Sequence, residues 1–306
     1  MSLAILCPGQ GSQHPDMFGR VRANPRAGAL LAAAAALLGD APDDAASRPA
    51  RFDNAIAQPL VCAGALSHWL ALEARLPVPT VVAGYSAGEL AAHAVAGSYD
   101  AATCLQLAVH RAACMDAASP ADAGLLAVLG LGRRSVEVLC ADHGVFPAIV
   151  NGDDHVVLGG LRADLLAVQA DAEQRGARCV VLPVQVPAHT PLLDAAATAF
   201  AQMLDDTPLQ APRLPLLAGI DGRRVTTRDQ VRDTLAGQIA HTVQWQVVMQ
   251  QALERGARVF LELGPGSALS RLARELHPQL QARSVEDFHT LEGVVEWVET
   301  ACARAA

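Results

Sequence analysis

Residues 84–88 read Gly-Tyr-Ser-Ala-Gly, a G-x-S-x-G pattern entered by Thr80-Val81-Val82-Ala83 and left by a small-residue helical stretch from Glu89 to Val95. A serine between strand and helix in this way is the signature of a nucleophile elbow. Glycine is expected on both sides because a Cβ at either would strike the strand or the helix. The sharp turn lifts the Ser86 hydroxyl out of the sheet, and the helix start offers free N–H groups, that of Ala87 among them, to an oxyanion. An ordinary glycine-rich turn is the plainer alternative.

A serine nucleophile needs a base, and ten histidines are available. His93 lies seven residues past Ser86, about 10 Å along a helix axis and out of reach. His110 adjoins Arg111, whose charge would lower its basicity where the side chains meet. His155 follows Asp153-Asp154, which reads as a hairpin turn rather than part of a metal site. His189 follows an apolar strand in a loop stiffened by Pro187 and Pro191, a good place to present a base across a cleft. Spacing alone does not rank it above an ordinary loop histidine.

Arg111 has only apolar neighbours at helical spacing (Leu107, Ala108, Cys114, Met115), so it belongs to a face that should be buried. Such an arginine needs a partner: a structural carboxylate, or the carboxylate of a substrate. The loop Pro8-Gly9-Gln10-Gly11-Ser12-Gln13 lacks the third glycine of a dinucleotide fingerprint. Glycine on both sides of Gln10 lets a backbone N–H approach a ligand closely, which makes the loop a candidate for a second oxyanion donor.

Composition narrows the chemistry further. The chain has no lysine, which excludes a Schiff base, a Ser–Lys dyad and a lysine-bearing P-loop. A net charge of −8 argues against nucleic acid as a partner. Seven scattered cysteines, none in a C-x-x-C pair, favour reduced buried thiols over disulfides or zinc, and Cys7 reads as core. No apolar stretch is read as a membrane span, and the N-terminus has no signal-peptide pattern. A cytoplasmic monomer is the expectation.

The elements that must position these groups alternate between strand and helix, which implies a parallel sheet with helices on both faces. Strands are expected over 3–7, 80–83, 214–220 and 258–263, with helices over 56–72, 101–117, 192–204, 231–239 and 247–255. Between about residues 124 and 184 the rhythm becomes β-α-β-β-α-β, the order of a ferredoxin-like unit. An insertion of this size makes a cleft against its host.

Together these segments resemble the malonyl-CoA:acyl carrier protein transacylase family. The match comprises PGQGSQ at 8–13, GYSAGE at 84–89, arginine 25 residues after the serine, VPAH at 186–189, Gln238 followed by VQW at 243–245, and LGPG at 263–266. It covers nearly the whole chain. The resemblance implies an α/β fold: a hydrolase-like parallel-sheet large subdomain (1–122 and 186–306) with an inserted ferredoxin-like small subdomain (123–185). It implies Ser86 as nucleophile, His189 as general base and acid, backbone N–H groups of Gln10 and Ala87 as oxyanion hole, Arg111 as clamp for the malonyl carboxylate, and the Gln238 carbonyl as the group that orients His189. Malonyl-CoA and an acyl carrier protein are the implied partners, with no membrane, metal or bound cofactor; phosphopantetheine arrives on the carrier. Tyr85 and Cys7 stand where most fatty-acid members have histidine and phenylalanine. These departures favour the branch that loads the carrier of malonate decarboxylase (its epsilon subunit) over fatty-acid or polyketide carriers.

Two other classes fit the same residues: a serine thioesterase or carboxylesterase on the same elbow, and a non-catalytic acyl-binding subunit. Arg133-Arg134 and Arg223-Arg224 are candidate basic patches for an acidic carrier, or solvated surface.

Overall fold

The computed structural model describes residues 2–305. The chain runs β1 (Leu3–Cys7), α1 (Pro25–Leu38), α2 (Pro42–Ser47), α3 (Asn54–Leu72), β2 (Val81–Gly84), α4 (Gly88–Val95) and α5 (Ala101–Ala118). It continues β3 (Ala123–Leu129), α6 (Arg133–His143), β4 (Phe146–Gly152), β5 (His155–Leu161), α7 (Arg162–Gln174) and β6 (Arg178–Val181). It ends α8 (Asp194–Asp205), β7 (Leu216–Leu217), β8 (Arg224–Val225), α9 (Arg228–Gly237), α10 (Trp245–Glu254), β9 (Val259–Glu262), α11 (Ala268–Leu276), β10 (Gln281–Ser284) and α12 (Leu291–Arg304).

The larger sheet has the order β10-β9-β1-β2-β7-β8, parallel throughout except for the β7–β8 pair. β1, β2 and β9 are buried along their whole length, as strands covered on both faces must be, and they carry near-continuous apolar runs. Because β1 and β2 are neighbours, the Gln10 loop and the Ser86 elbow emerge side by side at the carboxyl ends of adjacent strands, where open α/β sheets bind ligands. β7 flanks β2 on its other side and delivers Gly219 to the same edge.

The second sheet has the order β4-β5-β3-β6 and is antiparallel, the ferredoxin-like arrangement expected of its element order. Alternation along β3 divides its side chains. Leu126 and Val128 enter a small core with α6 and α7, while Leu125 and Ala127 join the main core. Val150 N–H donates to the Val243 carbonyl (2.8 Å) and Val243 N–H to the Ala148 carbonyl (2.9 Å), so β4 is tied to the segment that leads into α10.

Several expectations need correction. α3 is 19 residues long with a mean hydropathy of 1.4, so by length and composition it could cross a membrane. In the fold 78% of that stretch is buried, and α3 packs against α1, α4 and α5. The strand expected over 214–220 shrinks to two residues. β8, β10 and α12 have no counterpart in the sequence reading. The two strands are short edge strands, and β10 alternates long polar with small residues.

The elbow glycines are required sterically. A Cβ on Gly84 would lie 2.3 Å from the Glu89 Cα, and one on Gly88 would lie 2.2 Å from the Cys7 carbonyl oxygen. Gly84 therefore meets the helix and Gly88 the strand. Gly28 in α1 faces open space, with nothing within 4 Å. Gly84→Ala should destabilise the fold by about 1–3 kcal/mol or more through overpacking. Gly28→Ala should stabilise it by about 0.5–1 kcal/mol through helix propensity. Urea denaturation of the two variants checks both signs.

Candidate active site

Ser86 has φ 54° and His189 has φ 64°, both in the left-handed region that side chains other than glycine rarely adopt. Strain at two residues distant in sequence, aimed at one point, marks a site the fold over-determines. The Ser86 Oγ lies 2.8 Å from His189 Nε2. His189 Nδ1 lies 2.6 Å from the Gln238 carbonyl oxygen, which can only accept, so Nδ1 carries the proton and Nε2 is the acceptor facing the serine. The His189 N–H donates to the Ile239 carbonyl at 2.8 Å, and Thr190 Oγ1 donates to the Pro187 carbonyl at 2.6 Å, which pins the loop on either side of the imidazole.

Ala87 occupies the N-cap of α4, so its N–H is one of the donors a helix start leaves without an intrahelical partner. The loop that bears Gln10 is pressed onto the elbow. A Cβ on Gly9 would come within 2.7 Å of the Tyr85 carbonyl oxygen and 3.3 Å of the Ser86 Cβ. Only glycine allows this approach, and it brings the Gln10 loop against the serine.

Arg111 is 2% exposed. Its partners are neutral: the guanidinium donates to Gln58 Oε1 (2.8 Å) and to Gln238 Oε1 (2.9 Å). Among the described residues no carboxylate pairs with it. Burial draws its pKa down to about 10, so it remains a cation at neutral pH. The structural salt bridge considered from the sequence is absent. What stands there is a buried positive charge held in orientation by two amide oxygens.

The other candidates lie elsewhere. His93 is buried in α4 with Nδ1 3.3 Å from Ser98 Oγ, and it stacks on Tyr99. His110 is exposed while Arg111 is buried, so the two side chains occupy different surroundings. His155 opens β5 after a two-residue turn and sits 3.3 Å from Asn151 Nδ2; the Asn151 Oδ1 accepts from the Tyr85 hydroxyl at 3.1 Å. Cys7 is buried, and burial pushes its thiol up, away from reactivity. Arg133 pairs with Glu137 (3.7 Å) and Arg223 with Asp221 (3.6 Å), which offsets both candidate patches.

Some participants escaped the sequence reading. Gln58 and Glu89 are fully or almost fully buried. Their signal was available: an amide within the apolar run of α3, and an acid at the start of the apolar helix α4. A cavity of about 390 Å³ opens between the subdomains, bounded by Gln10, Tyr85, Asn151 and His155 and reaching Arg178 and Arg271. The two arginines gave no pattern in sequence because they come from β6 and α11.

Comparison with known proteins identifies the family. The model of the acyl transferase domain family matches residues 5–292. The chain belongs to the acyl transferase domain family. A malonyl CoA-acyl carrier protein transacylase of Escherichia coli K12 is 29% identical over 304 residues, covering 96% of this chain and 98% of the relative. One from Mycobacterium tuberculosis is 31% identical, covering 93% and 96%. Among solved structures, FabD from Acinetobacter baumannii superposes with a TM-score of 0.91 at 30% identity over 98% of this chain and 99% of that one. A malonyl-transacylase solved with a type II PKS acyl-carrier protein gives a TM-score of 0.91 at 26% identity over 97% and 99%. This chain is thus an acyltransferase of that family, with the family's α/β fold.

Burial, and after it the Arg111 charge, push the His189 pKa down to about 3, against the partial support of the Gln238 carbonyl. The imidazole is therefore neutral, and able to accept a proton, throughout the range where a free histidine titrates. The kcat/KM profile reports free-enzyme groups. It should show no acid limb near pH 6.5 assignable to His189. Burial pushes the Glu89 carboxyl up to about 7, so a limb near pH 6.5 that persists in a Glu89→Gln variant would contradict this placement of the base. Folding linkage has a definite sign for the same group. The unfolded chain binds the proton more tightly, so the His189 contribution to stability is present above about pH 6.5 and is lost as pH falls towards 3.

Proposed function

We propose that this acyltransferase moves a malonyl group from malonyl-CoA to the phosphopantetheine thiol of an acyl carrier protein through a malonyl-serine intermediate. Ser86 Oγ attacks the thioester carbonyl while His189 Nε2 takes the hydroxyl proton. The oxyanion is held by the Gln10 and Ala87 N–H groups. Collapse breaks the carbon–sulfur bond, and the departing thiolate takes the proton from the imidazolium. The carrier thiol then attacks the ester, giving its proton to His189, and the serine regains it as the product leaves. Kinetics are ping-pong.

The observation that carries this reading is Arg111, a buried guanidinium beside the dyad that pairs with no carboxylate among the described residues. A general esterase has no use for such a charge. An enzyme for an acyl group with a free terminal carboxylate does, because a bidentate pair fixes that end and orients the carbonyl. A carboxylate on Arg111 would also cancel the field that lowers the basicity of His189, so the base strengthens as this substrate binds. For the pathway we favour the carrier of malonate decarboxylase, on Tyr85 and Cys7. The relatives named above and a polyketide biosynthesis protein of Burkholderia thailandensis, of which the chain covers 24%, keep fatty-acid and polyketide carriers as the second reading.

Malonyl-CoA should add one malonyl group to the protein by intact-mass spectrometry, and Ser86→Ala should abolish the adduct. With a phosphopantetheinylated carrier the dominant product should be malonyl-carrier; free malonate as main product would point to a hydrolase. Arg111→Ala should cost malonyl transfer about 2–5 kcal/mol of transition-state binding, as truncation of a buried charge pair does, and acetyl transfer far less. Loading rates on carriers from the three pathways rank the physiological partner.

A further inference from the structure

Glu89 is a buried carboxylate, 1% exposed, that the reaction above does not use. Its surroundings are specific. Both oxygens accept from the Gly219 N–H at 3.2 Å, and Oε2 also accepts from the Gln238 side-chain Nε2. The same Nε2 lies 3.2 Å from the Ser86 carbonyl oxygen, and the other end of the amide, Oε1, accepts from Arg111. The Gln238 backbone carbonyl meanwhile holds His189. One residue thus touches the nucleophile's backbone, the base and the guanidinium, and Glu89 holds it from behind.

We infer that Glu89 is a positioning residue for substrate selection: it fixes the orientation of the Gln238 amide, and through it the guanidinium that receives the acyl carboxylate. The chemistry of the two neighbours dictates that orientation. A guanidinium only donates, and a carboxylate presents acceptor oxygens. An amide between them must turn its nitrogen to Glu89 and its oxygen to Arg111. Without the carboxylate only the Ser86 carbonyl, 3.2 Å away, still holds the nitrogen, and the amide is freer to flip. The flipped amide then sets an NH₂ against the guanidinium and turns it away from the pose that meets a carboxylate. Among the described residues no acid pairs with Arg111 to hold it otherwise, so its aim depends on Gln58 and on this relay.

The inference rests on the role of Arg111 proposed above, and the test separates the two. Glu89→Gln keeps size and removes the obligatory acceptor. Gly219→Ala removes no functional atom but sets a methyl 2.5 Å from Glu89 Oε2, which must move, while the Gln238 Nε2 is 3.5 Å away. The readout is the ratio of kcat/KM for malonyl-CoA to that for acetyl-CoA, with thermal unfolding and gel filtration to verify the fold. Each variant should lower the ratio about tenfold, the worth of one hydrogen bond to a charged group, with the loss mainly in KM for malonyl-CoA. Arg111→Ala, the reference, should lower it further, and Glu89→Gln added to Arg111→Ala should lower it no more. Equal losses for both substrates in folded Glu89→Gln and Gly219→Ala, while Arg111→Ala still discriminates, would overturn the inference alone. An Arg111→Ala ratio equal to wild type would overturn the reading beneath it.

Discussion

The arrangement turns on a cation buried, among the described residues, without an anion. Taking a guanidinium out of water is expensive, and proteins ordinarily offset the cost with a carboxylate. Here Arg111 has the oxygens of Gln58 and Gln238, which satisfy two of its donors and leave its net charge uncancelled at contact distance. The nearest acid to act on it through the relay, Glu89, stands beyond the amide of Gln238. Such a charge is stable enough to fold around and still able to gain from a carboxylate that arrives later. A direct ion pair would have been more stable and would have left nothing for a ligand to do.

The geometry around that charge comes from two strained residues. Ser86 and His189 both sit at positive φ, a conformation each costing on the order of 1–3 kcal/mol, and both are held by backbone contacts rather than by their own preferences. Gly84 and Gly88 allow α4 and β1 to close on the elbow, and the Ile239 carbonyl fixes the backbone of His189. The histidine is oriented by a main-chain carbonyl, where serine hydrolases use an aspartate. A neutral dipole stabilises an imidazolium less than a carboxylate does, and Arg111 opposes it further. That suits exchange between thioester and oxygen ester, whose leaving group needs little help, better than cleavage of an amide.

Much of this was legible in the sequence, and the reason is local. The elbow, the glycine loop and the strand before His189 are short-range patterns whose physics is contained in five to eight residues. The element order of the small unit was readable because its strands are short apolar runs set apart by helical stretches and its hairpin turn is two residues long. The relay was not readable. Gln58, Glu89 and Gln238 are brought together by sheet order and helix packing, and a polar residue in an apolar run announces burial without naming its partner. α3 shows the opposite limit: no stretch was read as long and apolar enough to span a membrane, yet this one is, since a core helix surrounded by other helices has the composition of one surrounded by lipid. β8 and β10 were missed because two-residue and half-polar edge strands carry no periodicity to detect.

The cleft follows from how the two sheets are joined. Paired hydrogen bonds between Val150, Val243 and Ala148 fasten β4 beside α10, and the Tyr85 hydroxyl reaches Asn151 from the residue next to the nucleophile. Tyr85 is braced against Trp245 edge-to-face, with ring centroids 5.2 Å apart. The residue beside Ser86 is therefore also a strut between the two sheets. Histidine is shorter than tyrosine and would not reach the same partner by the same path. A tyrosine at this position therefore shapes the wall of the cavity beside Ser86 and leaves the proposed reacting groups unchanged. In the proposed transfer, a change confined to that wall acts on the thiol that approaches the ester and leaves untouched the carboxylate held at the other end.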